Sequence, residues 1–168
     1  MVTSKRPVLH LHYSTGEKIL EATGLVLVGL AIGFTINSWG SLPERVPTHF
    51  NVLGQPDSYG EKGTFIIVPV ILTILYLSLI GVSRIPHYFN YPWNITPQNA
   101  EGQYRLARQM LLLLRVEIAI VFFYIHWQGL EVSFGRSSGL GVWFLPIFLV
   151  LVFGTLIIYI IRMAKVRE

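Results

Sequence analysis

Apolar residues in this chain neither alternate with polar ones nor recur every third or fourth position; they run together. Residues 25–39, 64–82 and 141–161 are apolar at almost every position, the pattern of helices surrounded by hydrocarbon on all sides. No Asp, Glu, Lys or Arg lies between Glu21 and Glu44, between Lys62 and Arg84, or between Arg136 and Arg162. Each gap holds about 20 residues or more, the length that crosses roughly 30 Å of hydrocarbon as a helix. A further segment, 110–130, is apolar but interrupted by Arg115 and Glu117. The pattern predicts an all-α membrane protein, one domain over residues 1–168, with four transmembrane helices.

Local signals set the boundaries. Ser14 stands three residues before Glu17, the capping-box spacing, and predicts a first helix over 15–39. Pro69 and Pro146 fall early in the second and fourth spans, where a missing N–H costs least. Thr96-Pro97 reads as an N-cap and first-turn pair, so the third helix is expected to start there and to run well beyond the bilayer. Arg105, Arg108 and Arg115 share a face of it with Leu112, and Glu101 stands four residues before Arg105, a favourable pair. That face reads as interfacial, with Arg115 snorkelling toward the headgroups, or else turned into the bundle. Arg115 and Glu117, two residues apart, cannot meet on one helix. In the first span Gly29 and Gly33 are four apart and would let another helix approach closely. The second or fourth span of the same chain is the favoured partner, and a second protomer, giving a homo-oligomer, is the alternative.

Composition narrows the class. The chain is 52 % hydrophobic and 13 % charged, whereas soluble domains average about 25 % charged. So few charges cannot cover an apolar core with a solvated surface, which argues against a soluble protein, a nucleic-acid binder or a disordered tail. The net charge of +4 is instead an orientation signal. Ten of the thirteen Lys and Arg residues lie in 1–21, 84–115 and the segment after 161, while Arg45, Lys62 and Arg136 stand apart. The positive-inside rule places both termini and the 84–108 segment in the cytoplasm and the 40–63 loop outside, in a multi-pass protein of the plasma membrane. Trp39, Trp127 and Trp143 then mark the outer interface and Trp93 the inner one. No small-residue cleavage pattern precedes Trp39, so the first span reads as a retained helix rather than a signal peptide. Without cysteine there is no disulfide, thiolate or sulfur metal site.

The loop between the first two spans, residues 39–64, reads WGSLPERVPTHFNVLGQPDSYGEKGT. Three prolines and four glycines make such a loop stiff and turn-rich. The pattern predicts a small hairpin around Gly54, with Pro47 and Pro56 opening its strands where proline is tolerated. It should form a compact cap packed on the helix ends through Phe50, Val52 and Tyr59. Leu42-Pro43, Val46-Pro47, His49-Phe50-Asn51, Gly54, Pro56-Asp57 and Lys62 together resemble the LPxxVPxHFNxxGxPD signature of a bacterial and archaeal membrane domain of unknown function. That domain is also found in Sdp-type immunity proteins, which protect cells from a secreted toxic peptide. Asn90-Tyr91-Pro92, Asn99-Ala100 and the run from Gln103 to Arg108 resemble stand-alone members of the same family. The resemblance covers most of residues 17–130. It implies an integral plasma-membrane protein and implies no reaction.

Chemistry is sparse. A hairpin would bring His49 close to Asp57, and His126 ends the third span nearby. His49, Asp57 and His126 would supply the ligand types of a divalent-metal site. Their spacing matches no metal motif, and carboxylates and imidazoles also fix hairpins, so neither a metal nor another cofactor is expected. His10 and His12, on one face of a short alternating run, and His87, among Tyr88, Phe89, Tyr91 and Trp93, read as structural and interfacial. No nucleophile motif, phosphate loop or dinucleotide fingerprint occurs, and no residue is assigned a catalytic role. The candidate binding residues are His49, Asn51 and Asp57, with Pro47, Phe50, Gly54 and His126 in support. They suit a receptor or immunity-type binding protein that meets an extracellular peptide or another membrane protein through its outer loop. The alternative is an accessory or structural subunit of a larger membrane complex. A small transporter ranks lower, because Thr35, Ser78, Thr155 and Tyr159 are the polar groups found well inside the spans.

Overall fold

The structure, a computed structural model, describes residues 6–167. Its elements are α1 (Thr15–Ser38), β1 (Arg45–Phe50), β2 (Pro56–Glu61), α2 (Ile67–Ser83), α3 (Ala100–Ser133) and α4 (Phe144–Lys165). All four helices are long and apolar enough to cross a membrane, α2 together with the 3₁₀ turn Lys62–Ile66 that leads into it. The sequence pattern thus yields a mostly helical chain with four candidate spans.

The expected caps form. The Ser14 N–H donates to Glu17 Oε2 at 2.7 Å, and the Glu17 N–H donates to Ser14 Oγ at 3.3 Å. Before α3, the Thr96 N–H donates to Asn99 Oδ1 (2.9 Å) and the Asn99 N–H to Thr96 Oγ1 (3.3 Å). The Ala100 N–H already reaches Thr96 O at 3.0 Å. The helical path therefore begins at Thr96-Pro97, although the regular helix starts at Ala100.

α3 is the central post. α1, α2 and α4 each pack on it, and α4 packs on little else. Val28, Ala31, Leu72, Tyr76 and Ala119 form the core between α1, α2 and α3. Gly24 is what lets α1 and α2 approach: the Tyr76 ring occupies the space a Cβ at position 24 would fill. The Tyr76 hydroxyl donates to Glu21 O at 3.0 Å. Gly29 and Gly33 have no atom within 4 Å of a Cβ placed there. The expectation that they admit another helix of the same chain is therefore not met, and the small residue that does so, Gly24, lies five residues before Gly29. α4 is the least covered helix, with Ile147, Val150, Phe153 and Ile157 all more than half exposed, as befits a helix bathed in lipid.

A second correction concerns the arginine face of α3. Arg105 lies at the surface and pairs with Glu101 at 2.9 Å. Arg108 and Arg115 do not reach for an interface; they are 4 % and 1 % exposed. Arg108 Nη2 lies 2.9 Å from Glu17 Oε1, and Arg115 forms an ion pair with Glu21. Glu17 and Glu21, four apart on α1, present one acidic face to α3, and pairing across the helices replaces the hydration that snorkelling would have kept. Glu117 turns the other way and accepts a hydrogen bond from Thr155 Oγ1 on α4 at 2.5 Å. Nearer the N-terminus of α3, Gln103 Nε2 donates to Met163 O (2.8 Å) and Val166 O (3.0 Å), and Asn99 Nδ2 donates to Arg167 O (2.7 Å). Side chains of α3 thus satisfy carbonyls at the C-terminus of α4. In the 84–99 segment, Tyr91 donates its hydroxyl to Pro86 O at 3.0 Å. Burial raises the pKa of that phenol and the neighbouring Tyr104 adds to the shift, against the opposing pull of Arg6.

Candidate functional site

β1 and β2 form an antiparallel hairpin at the end of the bundle where α1 stops and α2 begins. Four residues, Asn51 to Gly54, make the turn. Asn51 Oδ1 accepts from the Leu53 N–H (2.9 Å) and the Gln55 N–H (3.1 Å), an Asx arrangement that needs asparagine or aspartate there. Gly54 closes the turn with φ +75°, a left-handed conformation that favours glycine. The ladder pairs Pro47 with Tyr59 and His49 with Ser58, and its register slips on either side of His49. Such a bulge re-aims the side chains next to it.

The hairpin has two unlike faces. Val46 and Pro47 are buried, and Val46 joins Leu42, Phe65 and Leu130 in a small core on the helix ends. Phe50 is half-buried, but Val52 is 74 % exposed and Tyr59 46 % exposed. The cap is therefore compact, as expected, yet it docks through Val46, Pro47 and Phe50 rather than through Phe50, Val52 and Tyr59. The bulge and the tight turn carry Val52 away from the bundle.

On the outward face His49 Nδ1 lies 2.6 Å from Asp57 Oδ1, with both side chains open to solvent. The pair overlooks a cleft of about 470 Å³ lined by His49, Phe50, Asn51, Gly54, Asp57 and, from across the gap, Phe144 of α4. The far wall is anchored to the hairpin turn itself. The Leu140 N–H donates to Gly54 O at 2.7 Å, and Tyr124 of α3 donates its hydroxyl to Leu140 O at 2.9 Å. A Cβ at Gly54 would meet the backbone of Gly141, and one at Gly139 would meet the backbone of Gly54. The hairpin turn and the loop before α4 are thus in backbone-to-backbone contact. Leu140, Phe144 and Leu145 are absent from the residues the sequence nominates. The glycines at 135, 139 and 141, all with positive φ, mark a tight loop before α4 but do not signal its contact with the hairpin.

His126 belongs to the other face. It is 2 % exposed and shares with Pro47, Thr64 and Phe65 a separate crevice of about 270 Å³ beneath the hairpin. Its ring lies 4.2 Å from that of Phe65. Thr35 Oγ1 sits 2.8 Å from His126 Nε2 and spends its own proton on Ala31 O at 2.9 Å. The imidazole therefore donates through Nε2, and its Nδ1 has no partner among the described residues. His49, Asp57 and His126 do not converge, because β1 stands between them, and no group of three or more metal-ligand side chains occurs among the described residues. The polar rim and apolar floor of the larger cleft suit an amphipathic partner.

Residues 26–73, from α1 through the hairpin into α2, match a domain of unknown function (DUF1648). The chain is also similar to an uncharacterized protein of Archaeoglobus fulgidus, 31 % identical over 86 residues. That alignment covers 46 % of this chain and 46 % of the archaeal one, so the chain spans about half the length of that relative. No solved structure matches.

Proposed function

We propose that the protein is a multi-pass plasma-membrane binding protein of receptor or immunity type, whose hairpin cap is an outer recognition surface for a peptide or another membrane protein. The carrying observation is the solvent-open His49–Asp57 pair above the cleft between hairpin and α4. A linker that only joined two helices would need neither the Asn51 turn nor the Gly54–Leu140 clamp. The match to a membrane-type domain with no assigned reaction over 26–73 is compatible with a binding role. Orientation rests on the basic residues, concentrated at the end opposite the hairpin, and on Trp39, Trp127 and Trp143 grouped at the hairpin end. In this orientation both termini are cytoplasmic. The test is photocrosslinking from Val52 in intact membranes. A discrete crosslinked partner that is lost in His49→Ala and Asp57→Ala, with the protein still folded, is expected. Partner capture unchanged in folded His49→Ala and Asp57→Ala would overturn the reading.

One observation favours a second reading, an accessory subunit of a larger complex. α4 leaves most of its circumference uncovered by this chain. Co-purification at fixed stoichiometry, unaffected by changes in the hairpin, would identify that role.

A further inference from the structure

At the end opposite the hairpin, a cleft of about 250 Å³ opens between the extended segment before α1 and the last turn of α2. His10, His12, Tyr13, Ser83, Arg84 and Arg108 line it, and no carboxylate does. Arg108 holds the segment in place. Its Nη1 donates to Leu11 O at 2.7 Å and its Nη2 to His12 O at 3.0 Å, while its guanidinium lies 4.3 Å from the Tyr13 ring centroid. The charge of Arg108 is spent on Glu17. That of Arg84 is not. Arg84 is exposed, and neither it nor His10 or His12 has a side-chain partner among the described residues.

A helix C-terminus ordinarily repels anions, but here its carbonyls are engaged. Ser83 Oγ donates to Ile80 O at 2.8 Å, and the N–H groups of Arg84 and Ile85 donate to Gly81 O and Val82 O at 3.2 and 3.1 Å. The cleft also has apolar walls: Leu9, 36 % exposed, lines it with Leu11 and Pro86. A free guanidinium that shares one cleft with two imidazoles and apolar residues fits a phosphate group attached to an acyl-bearing molecule better than a bare ion.

We propose that this cleft binds the phosphate group of an anionic phospholipid, with Arg84 as the charged donor and His10 and His12 beside it. The site is independent of the hairpin and would stand if the recognition role of the cap fell. The full chain, purified in an uncharged detergent at constant ionic strength, is titrated with dioctanoyl phosphatidic acid, dioctanoyl phosphatidylcholine and inorganic phosphate. Bound lipid is counted by native mass spectrometry. One saturable phosphatidic acid site is expected, weakened about fivefold in Arg84→Gln and weakened also in His10→Ala/His12→Ala. Lys165→Gln, which alters a basic residue outside the cleft, should bind as the parent does. Phosphate that competes with the lipid supports the same anion chemistry and assigns the site to free phosphate as well; phosphate that fails to compete assigns it to the lipid. Equal binding of phosphatidylcholine, unchanged binding in folded Arg84→Gln, or equal weakening in Lys165→Gln would overturn the proposal.

Discussion

Arg115 shows how far one residue can be read from sequence. Its place in an apolar span was plain, and so was its inability to pair with Glu117. Its partner was not, because that depends on which face of α1 meets α3. The signal lay in α1 itself, where Glu17 and Glu21 stand one turn apart at the start of a helix whose remaining charged residue is Lys18. Removing one member of a buried pair leaves the other charge stranded. Arg115→Leu should therefore lower stability by about 3 kcal/mol, and adding Glu21→Gln should restore most of it. Unfolding of both variants in one detergent checks this, and a mild Arg115→Leu would return the residue to the interface. Tyr91 gives a pH-dependent case. Its phenol is raised in the folded state by burial, so the neutral form is favoured there. Stability from that preference is complete below the unfolded value near 10.0 and is lost as pH rises beyond it. Tyr91→Phe gives up the hydrogen bond to Pro86 and should be about 1 kcal/mol less stable at neutral pH. That gap should narrow above pH 10, and parallel melting curves across alkaline pH would contradict the assignment.

Among the elements, the helices were legible because long apolar runs, a capping box and early prolines all gave the same answer. The hairpin was legible from Gly54 at its turn and from Pro56, which opens β2 as expected; Pro47 does not open β1, which already begins at Arg45. What the sequence could not show was the second wall of the cleft, since Leu140 lies 86 residues from Gly54 and no local pattern links them. Nor could it show that Val52 faces out, because the bulge beside His49 interrupts simple alternation. The clamp makes its own prediction. Gly54→Ala meets both a left-handed φ and the Gly141 backbone and should cost about 2 kcal/mol. Gly135→Ala has a similar φ with nothing near the new methyl and should cost about 1 kcal/mol. Limited proteolysis across 51–55 should speed up in the first variant and not in the second; equal rates would mean that the contact between loops carries no weight.

At the scale of the molecule, orientation is the property on which a recognition role depends. The chain has no cysteine of its own, so single cysteines report cleanly. One at Ser58 should react with an impermeant maleimide in intact cells, and one at Gln98 only after lysis. Labelling of Gln98 from outside would reverse the assignment of the two faces. The three polar fastenings of α4 bear on a different property, the response to bilayer thickness. Leu140 to Tyr124 at one end, Thr155 to Glu117 midway, and Met163 and Val166 to Gln103 at the other fix its register along α3. At 22 residues α4 is about 33 Å long, close to the roughly 30 Å of a typical hydrocarbon core. A lone helix relieves mismatch by tilting; this one cannot tilt on α3 without breaking these hydrogen bonds. A thinner membrane must therefore tip the whole bundle or thicken around it, carrying the hairpin cleft along as a rigid part.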